Sequence, residues 1–137
     1  MIDVVDSDVR IAGLLFGGVQ GIIVEAAFEG SYTLALSPAT IGELEGVLLR
    51  PKFGIDAEIV HTLVREIEEM GTVFYPRTKH ALVADDPADN AFVDCAVEAN
   101  AQYIVSGDEH LTSLGVAAGV PIVTPAKFRE IIADQQS

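Results

Sequence analysis

The sequence predicts an α/β domain, a three-layer α/β/α sandwich around a mostly parallel sheet of about five strands. Three observations carry this expectation. Short runs of β-branched and apolar residues recur along the chain, stretches with helical spacing separate them, and half of the 137 residues are apolar. Strand alternating with helix predicts parallel pairing, because a parallel neighbour needs a long crossover and a helix supplies it. The length fits one domain, residues 1–137, with a core of its own. No repeat, low-complexity tract or linker divides it.

The elements follow in order. IDVV (2–5) reads as the first strand and stops at Asp6. From about Val9 to Phe28 the chain is apolar and helical, with Gly17-Gly18 breaking it into two buried helices. YTLAL (32–36) is the second strand. Ser37-Pro38 then gives a helix a cap and a proline at its first position, and Pro51 stops it. DAEIVHTLVREIEEM (56–70) is a further helix, with Ile59, Leu63 and Ile67 on one face and Gly71 as its end. TVFY (72–75) is the third strand. A helix over about 87–99 leads to YIVS (103–106), the fourth. A short helix in HLTSLG, the strand PIVT (121–124) and the closing helix AKFREIIA complete the chain.

Composition narrows the function. The net charge is −13, from 21 acids against 8 Lys and Arg. Such a surface repels nucleic acid at long range, so a polyanionic substrate needs a bound cation, a local basic patch or a basic partner. Cys95 is the single cysteine, which excludes an internal disulfide and fits a reducing cytoplasm. The acidic start MIDVVDSDVR is unlike a secretory leader. The run 11–28 holds Gln20, Glu25 and several glycines, so no membrane span is expected.

Acidic residues gather where strands end. ADDPADNAFVDCA (84–96) places Asp85, Asp86, Asp89 and Asp94 within ten positions. Helix capping explains part of this, since Asp86-Pro87-Ala88-Asp89 has the spacing of a capping box. Glu43 in the first turns of a helix is ordinary by the same logic. Asp6 and Asp108 are less easily explained, because each ends an apolar strand and must find a donor or a cation if that end is enclosed. Backbone donors beside Ser7 and Gly107 offer one answer, and Asp8 is placed to start the helix at Val9. In open α/β sheets, ligands bind beyond the carboxyl ends of the strands, which is where Asp6, Glu43, Asp89 and Asp108 fall. Converging carboxylates repel unless a cation holds them, and an all-oxygen set suits Mg²⁺ or Mn²⁺. One cysteine and the scattered His61, His80 and His110 do not make a zinc site.

Four segments, VVDSDVRIAGLL, SPATIGELEGVLLRPKF, DPADNAFVDCA and YIVSGDEHL, with the ending PIVTPAKF, together resemble the PIN domains, a family of small metal-dependent ribonucleases. The resemblance covers nearly the whole chain and is greatest to the bacterial, VapC-like toxin branch of toxin–antitoxin systems. It implies a PIN-like fold and RNA phosphodiester cleavage. It also implies a site of Asp6, Glu43, Asp89 and Asp108 as catalytic and metal-holding residues for Mg²⁺ or Mn²⁺. A basic antitoxin partner and a homodimer are implied as well. Two residues depart from the family pattern: Asp8 stands where Asn is usual, and His110 where a further Asp is frequent. Asp94, five residues beyond Asp89, faces away from it on a helix. Ser106 is placed to donate to an acid or to phosphate. Arg10, Arg50 with Lys52, and Arg77 with Lys79 are candidate phosphate contacts, although isolated basic residues are also ordinary surface charges.

Two other readings compete. Asp6-Ser7-Asp8 resembles the DxD start of phosphoaspartyl hydrolases, but Arg10 and the segment EHLTS do not fit that pattern. A catalytically weakened PIN-like domain that only binds a partner or RNA is the other, motivated by Asp8 and His110.

Overall fold

The computed structural model describes residues 1–81 and 87–136. Strand β1 (Ile2–Val5) lies at the centre of the sheet, between β2 (Thr33–Leu36) and β4 (Tyr103–Val105), parallel to both. Among the described residues the sheet has six strands in the order β3-β2-β1-β4-β6-β5, with β3 (Thr72–Val73), β5 (Val116–Ala117) and β6 (Val120–Val123) completing it. Every pairing is parallel except β5 with β6. The expected five strands are all present. The sixth, β5, forms a hairpin with β6 through Ala118 and Gly119, both at positive φ. That is the backbone of a two-residue hairpin turn, here without the Asn-Gly or Asp-Gly that announces one.

Helices cover both faces. One side carries α1 (Ser7–Leu15), α2 (Gly18–Phe28), α3 (Pro38–Leu48), α4 (Ala57–Met70) and α7 (Pro125–Gln136). Their buried faces, among them Ile23, Leu44, Val64 and Phe128, share a core with Val5, Leu34, Leu36 and Val105. The other side carries α5 (Pro87–Ala99) and the single-turn α6 (Glu109–Thr112). There Phe92, Val93, Ala96 and Leu111 pack on Val4, Ala35 and Ile104. The alternation along β1, with Val4 to one side and Val5 to the other, is the period-two rule of a strand buried on both faces.

Two local expectations need correction. The helix at Val9 is not started by Asp8. It begins at Ser7, and Asp6 caps it by accepting from the Val9 N–H at 2.9 Å. On α4 the buried stripe is Val60, Val64 and Ile67, while Ile59 is 53 % exposed. Spacing alone cannot choose between adjacent stripes one residue apart. Gly71 ends α4 as expected, in an extended conformation. It is glycine because a Cβ there would stand 2.9 Å from the Leu34 carbonyl oxygen and 2.7 Å from Leu36 Cδ1.

The apolar run 11–28 forms α1 and α2, which meet at 95°. Among the described residues no single helix is long and apolar enough to cross a membrane. The pair is less buried than expected, since Phe16 and Phe28 are exposed. The break at Gly17 and Gly18, both at positive φ, is where the sequence places it. Gly13 is no break at all. It lies inside α1, where a Cβ would come within 2.6 Å of Val24 Cγ2 and 2.5 Å of the Gln20 oxygen, so its absence lets α2 cross closely.

Candidate active site

Val5 and Val105 are paired neighbours on β1 and β4, so the residues that follow them, Asp6 and Ser106, leave the carboxyl edge of the sheet side by side. The Asp6 N–H donates to the Val105 oxygen at 3.0 Å. Ser106, fully buried, donates its hydroxyl in a short hydrogen bond to Asp6 Oδ2 and accepts from the Asp108 N–H at 3.0 Å. One hydroxyl therefore ties the two strand-end aspartates together. The Asp108 carboxylate turns to its own helix and accepts from the His110 N–H at 2.9 Å, capping α6.

The other two acids come from helices. Glu43 projects from α3, whose start is fixed by a reciprocal cap: the Thr40 N–H donates to Ser37 Oγ, and the Ser37 N–H donates to Thr40 Oγ1. Asp89 lies in the first turn of α5 and is 7 % exposed. Asp85 and Asp86, and with them the capping box expected before α5, lie outside the described residues. Asp6, Asp8, Glu43, Asp89 and Asp108 line one cleft of about 360 Å³, together with Ser7, Arg50 and Phe92. All four predicted site residues thus share a single cavity.

Burial acts on Asp6, which is 3 % exposed. Loss of solvation pushes its carboxyl above the usual aspartate range, and Asp8 nearby adds to this. The hydrogen bonds from Ser106 and Val9 and the charge of Arg10 pull in the opposite direction. Arg10 is not a surface charge. It is 2 % exposed, with Nη2 donating to Ser7 Oγ at 3.3 Å and to the Thr40 oxygen at 3.1 Å, and with its guanidinium 5.6 Å from the Phe92 ring centroid. Its Nε and Nη1 have no hydrogen-bond partner. Burial lowers its pKa to about 10, against the pull of Asp6 and Glu43, so it remains charged at neutral pH. A cation thus lies beneath the acidic cleft, in contact with two of its lining residues. Composition could not distinguish it from a solvated arginine.

Asp94 does not join the cleft. It accepts from the His80 N–H at 2.6 Å, lies 2.7 Å from His80 Nδ1, and lines a different groove beside Ser37 and Tyr75. His80 is accordingly tied to α5 and is not a free surface residue. His61 lies 3.6 Å from Glu45, away from the cleft. Ser7, Phe92 and Arg50 are site residues that the sequence did not single out as a set. Arg50 was already a candidate phosphate contact by its charge, Ser7 is adjacent to Asp6, and Phe92 lies one helical turn from Asp89.

The donor chemistry fits a hard divalent cation, since every acidic group is a carboxylate and no thiolate or imidazole lines the cleft. Among the described residues no group of three or more His, Cys, Asp or Glu side chains is clustered tightly enough to ligate one ion. Two of the carboxylates are engaged in helix caps, Asp6 to Val9 and Asp108 to His110. A Mg²⁺ ion that keeps several waters and takes one or two carboxylates directly matches such a cleft better than a closed protein cage.

Comparisons with known proteins bear on the family and the fold. A family profile described as PIN domain matches residues 4–110, the span from β1 to the His110 turn. No match is found among curated proteins. Solved structures share the fold at low identity. VapBC2 from Rickettsia felis, bound to a DNA fragment from its promoter, superposes with a TM-score of 0.65 at 11% identity, over 90% of this chain and 98% of that one. PAE2754 from Pyrobaculum aerophilum gives 0.66 at 15%, over 98% and 91%. VapBC-1 from nontypeable Haemophilus influenzae gives 0.61 at 17%, over 92% and 99%. With the strand-end aspartates at the sheet edge and the profile spanning most of the chain, the protein belongs to the PIN domain family.

Proposed function

We propose that this protein is a metal-dependent endoribonuclease that hydrolyses RNA phosphodiester bonds, the toxin component of a toxin–antitoxin system. The observation that carries the reading is the sharing of one cleft by Asp6, Glu43, Asp89 and Asp108 in a chain of a nuclease family. The likeness to VapBC structures supports an antitoxin partner, and the charge of −13 suits a basic one. A cytoplasmic homodimer completes the proposal.

In this reading Asp6, Asp89, Asp108 and Glu43 hold Mg²⁺ or Mn²⁺, directly or through water. When bound, the ion supplies positive charge at the phosphoryl oxygens and makes water a better nucleophile. The chain's own contribution is positional. Ser106 fixes the carboxylate of Asp6 and the backbone of Asp108 in one stroke, which restricts the rotation of both acids. Arg10 offsets part of the mutual repulsion of Asp6 and Glu43. The caps on α1 and α3 set where Asp6 and Glu43 stand.

The test is a pair of substitutions with two readouts. Asp6→Asn and Asp108→Asn keep an N-cap, because Asn caps a helix as well as Asp does, so both variants are expected to melt cooperatively near the wild type. Cleavage of single-stranded RNA is expected to fall at least about 100-fold in each, and Mn²⁺ affinity measured by calorimetry to fall with it. Wild-type cleavage persisting in either variant would remove the site. A second reading, a weakened domain that binds without cutting, is favoured by the spread of the carboxylates and by His110. Wild-type protein that binds neither Mn²⁺ nor Mg²⁺ at millimolar concentration would establish it.

A further inference from the structure

We infer that Arg50 is the residue that takes a substrate phosphate at this cleft, a contact to the backbone of single-stranded RNA. The inference rests on the nuclease reading and adds to it the element that reading lacks, a cation facing the polyanion. Five carboxylates line the cleft, and Arg50 is the one basic residue among its lining residues. It is exposed, and among the described residues its guanidinium forms neither an ion pair nor a hydrogen bond. An arginine beside five acids and paired with none is a cation left available, and its planar fork of donors matches two phosphate oxygens at once.

Four of the other seven basic side chains are occupied, and the remaining three, Arg65, Lys79 and Arg129, do not line the cleft. Arg10 is buried under the cleft. The Lys52 ammonium sits over the Phe53 ring, 5.1 Å from its centroid. Arg77 is paired with Glu98 and Lys127 with Glu130. None of these lines the cavity that holds Asp6 and Asp108.

The backbone of Arg50 is anchored while its side chain is not. Its N–H donates to the Val47 oxygen at 3.0 Å as α3 ends, and its carbonyl accepts from the Phe53 N–H at 3.1 Å in a short 3-10 turn, Pro51–Phe53. Pro51 and the left-handed Gly54 lock that turn. The guanidinium therefore starts from a fixed point, just past the end of the helix that carries Glu43. A phosphate held there would lie beside the acids, so a neighbouring ester bond of the same strand enters their reach.

Binding is read by fluorescence anisotropy with a labelled single-stranded oligoribonucleotide of mixed sequence, in the cleavage-deficient Asp108→Asn protein with Mg²⁺ present. Adding Arg50→Gln is expected to weaken binding by about 5- to 10-fold and to make the slope of log K against log salt shallower by about 0.7, the loss of one single-strand phosphate contact. Arg50→Lys is expected to restore the slope. Calorimetric Mn²⁺ affinity and the melting temperature of Arg50→Gln in the wild-type background should be unchanged, which separates a phosphate contact from a structural role. Equal affinity and equal slope with and without Arg50 overturn the assignment and leave the nuclease reading standing. If the Asp108→Asn protein binds no RNA at low salt, both fall together.

Discussion

Asp3 is the most strained charge in the molecule outside the cleft. It is fully buried on β1, and neither carboxyl oxygen has a hydrogen bond. Loss of solvation raises its pKa from 3.8 to about 7, with the chain's N-terminal charge offsetting part of that rise. The folded state prefers neutral Asp3, whereas the unfolded chain ionises near 3.8. Stability is therefore complete below the unfolded value and is lost as pH rises through about 7, by roughly 4 kcal/mol. Asp6, also raised by burial, slopes the same way. Asp3→Asn is expected to flatten the dependence: its melting temperature should exceed the wild type at about pH 8 and lie close to it at about pH 4. Thermal melts at both values check this, and an unaltered slope would show that Asp3 is ionised in the fold. At this scale the sequence was only partly legible. That Asp6 and Asp108 end strands can be read directly, because a strand boundary is local. That Arg10 is buried and Arg50 faces the acids cannot, because an arginine's surroundings come from distant parts of the chain.

The elements were largely readable, and the misreadings share a cause. Ser37-Pro38 and the Gly17-Gly18 break were placed correctly, since caps and positive φ are properties of a few adjacent residues. The α4 stripe and the β5–β6 hairpin were not, because each depends on what packs against it. Gly13 shows the distinction most sharply. Helix propensity alone says that alanine there should stabilise α1 by about 1 kcal/mol. The approach of Gln20 and Val24 says that a Cβ cannot fit without moving α2, and overpacking of that kind costs about 1–3 kcal/mol. Gly13→Ala is therefore expected to lower stability by up to about 2 kcal/mol in denaturant titrations. A rise in the midpoint would mean that α1 and α2 separate freely.

Across the whole molecule the dominant quantity is the charge of −13. Self-repulsion of that size destabilises the compact state and is screened by salt. The melting temperature is expected to rise between about 20 and about 200 mM NaCl, and to rise further with millimolar Mg²⁺ in the wild type than in Asp108→Asn. Equal shifts in the two proteins would show that Mg²⁺ acts by screening alone. Taken by itself, the sequence determined the layer architecture, the order of the strands along the chain and the family, because these follow from short-range periodicity and from residue types at boundaries. The tertiary structure alone decided that β1 lies between β2 and β4, that Ser106 links Asp6 to Asp108, that Asp94 is taken by His80, and that a buried arginine underlies the cleft. Those facts depend on which residues far apart in the chain become neighbours, and only strand pairing and helix packing fix that.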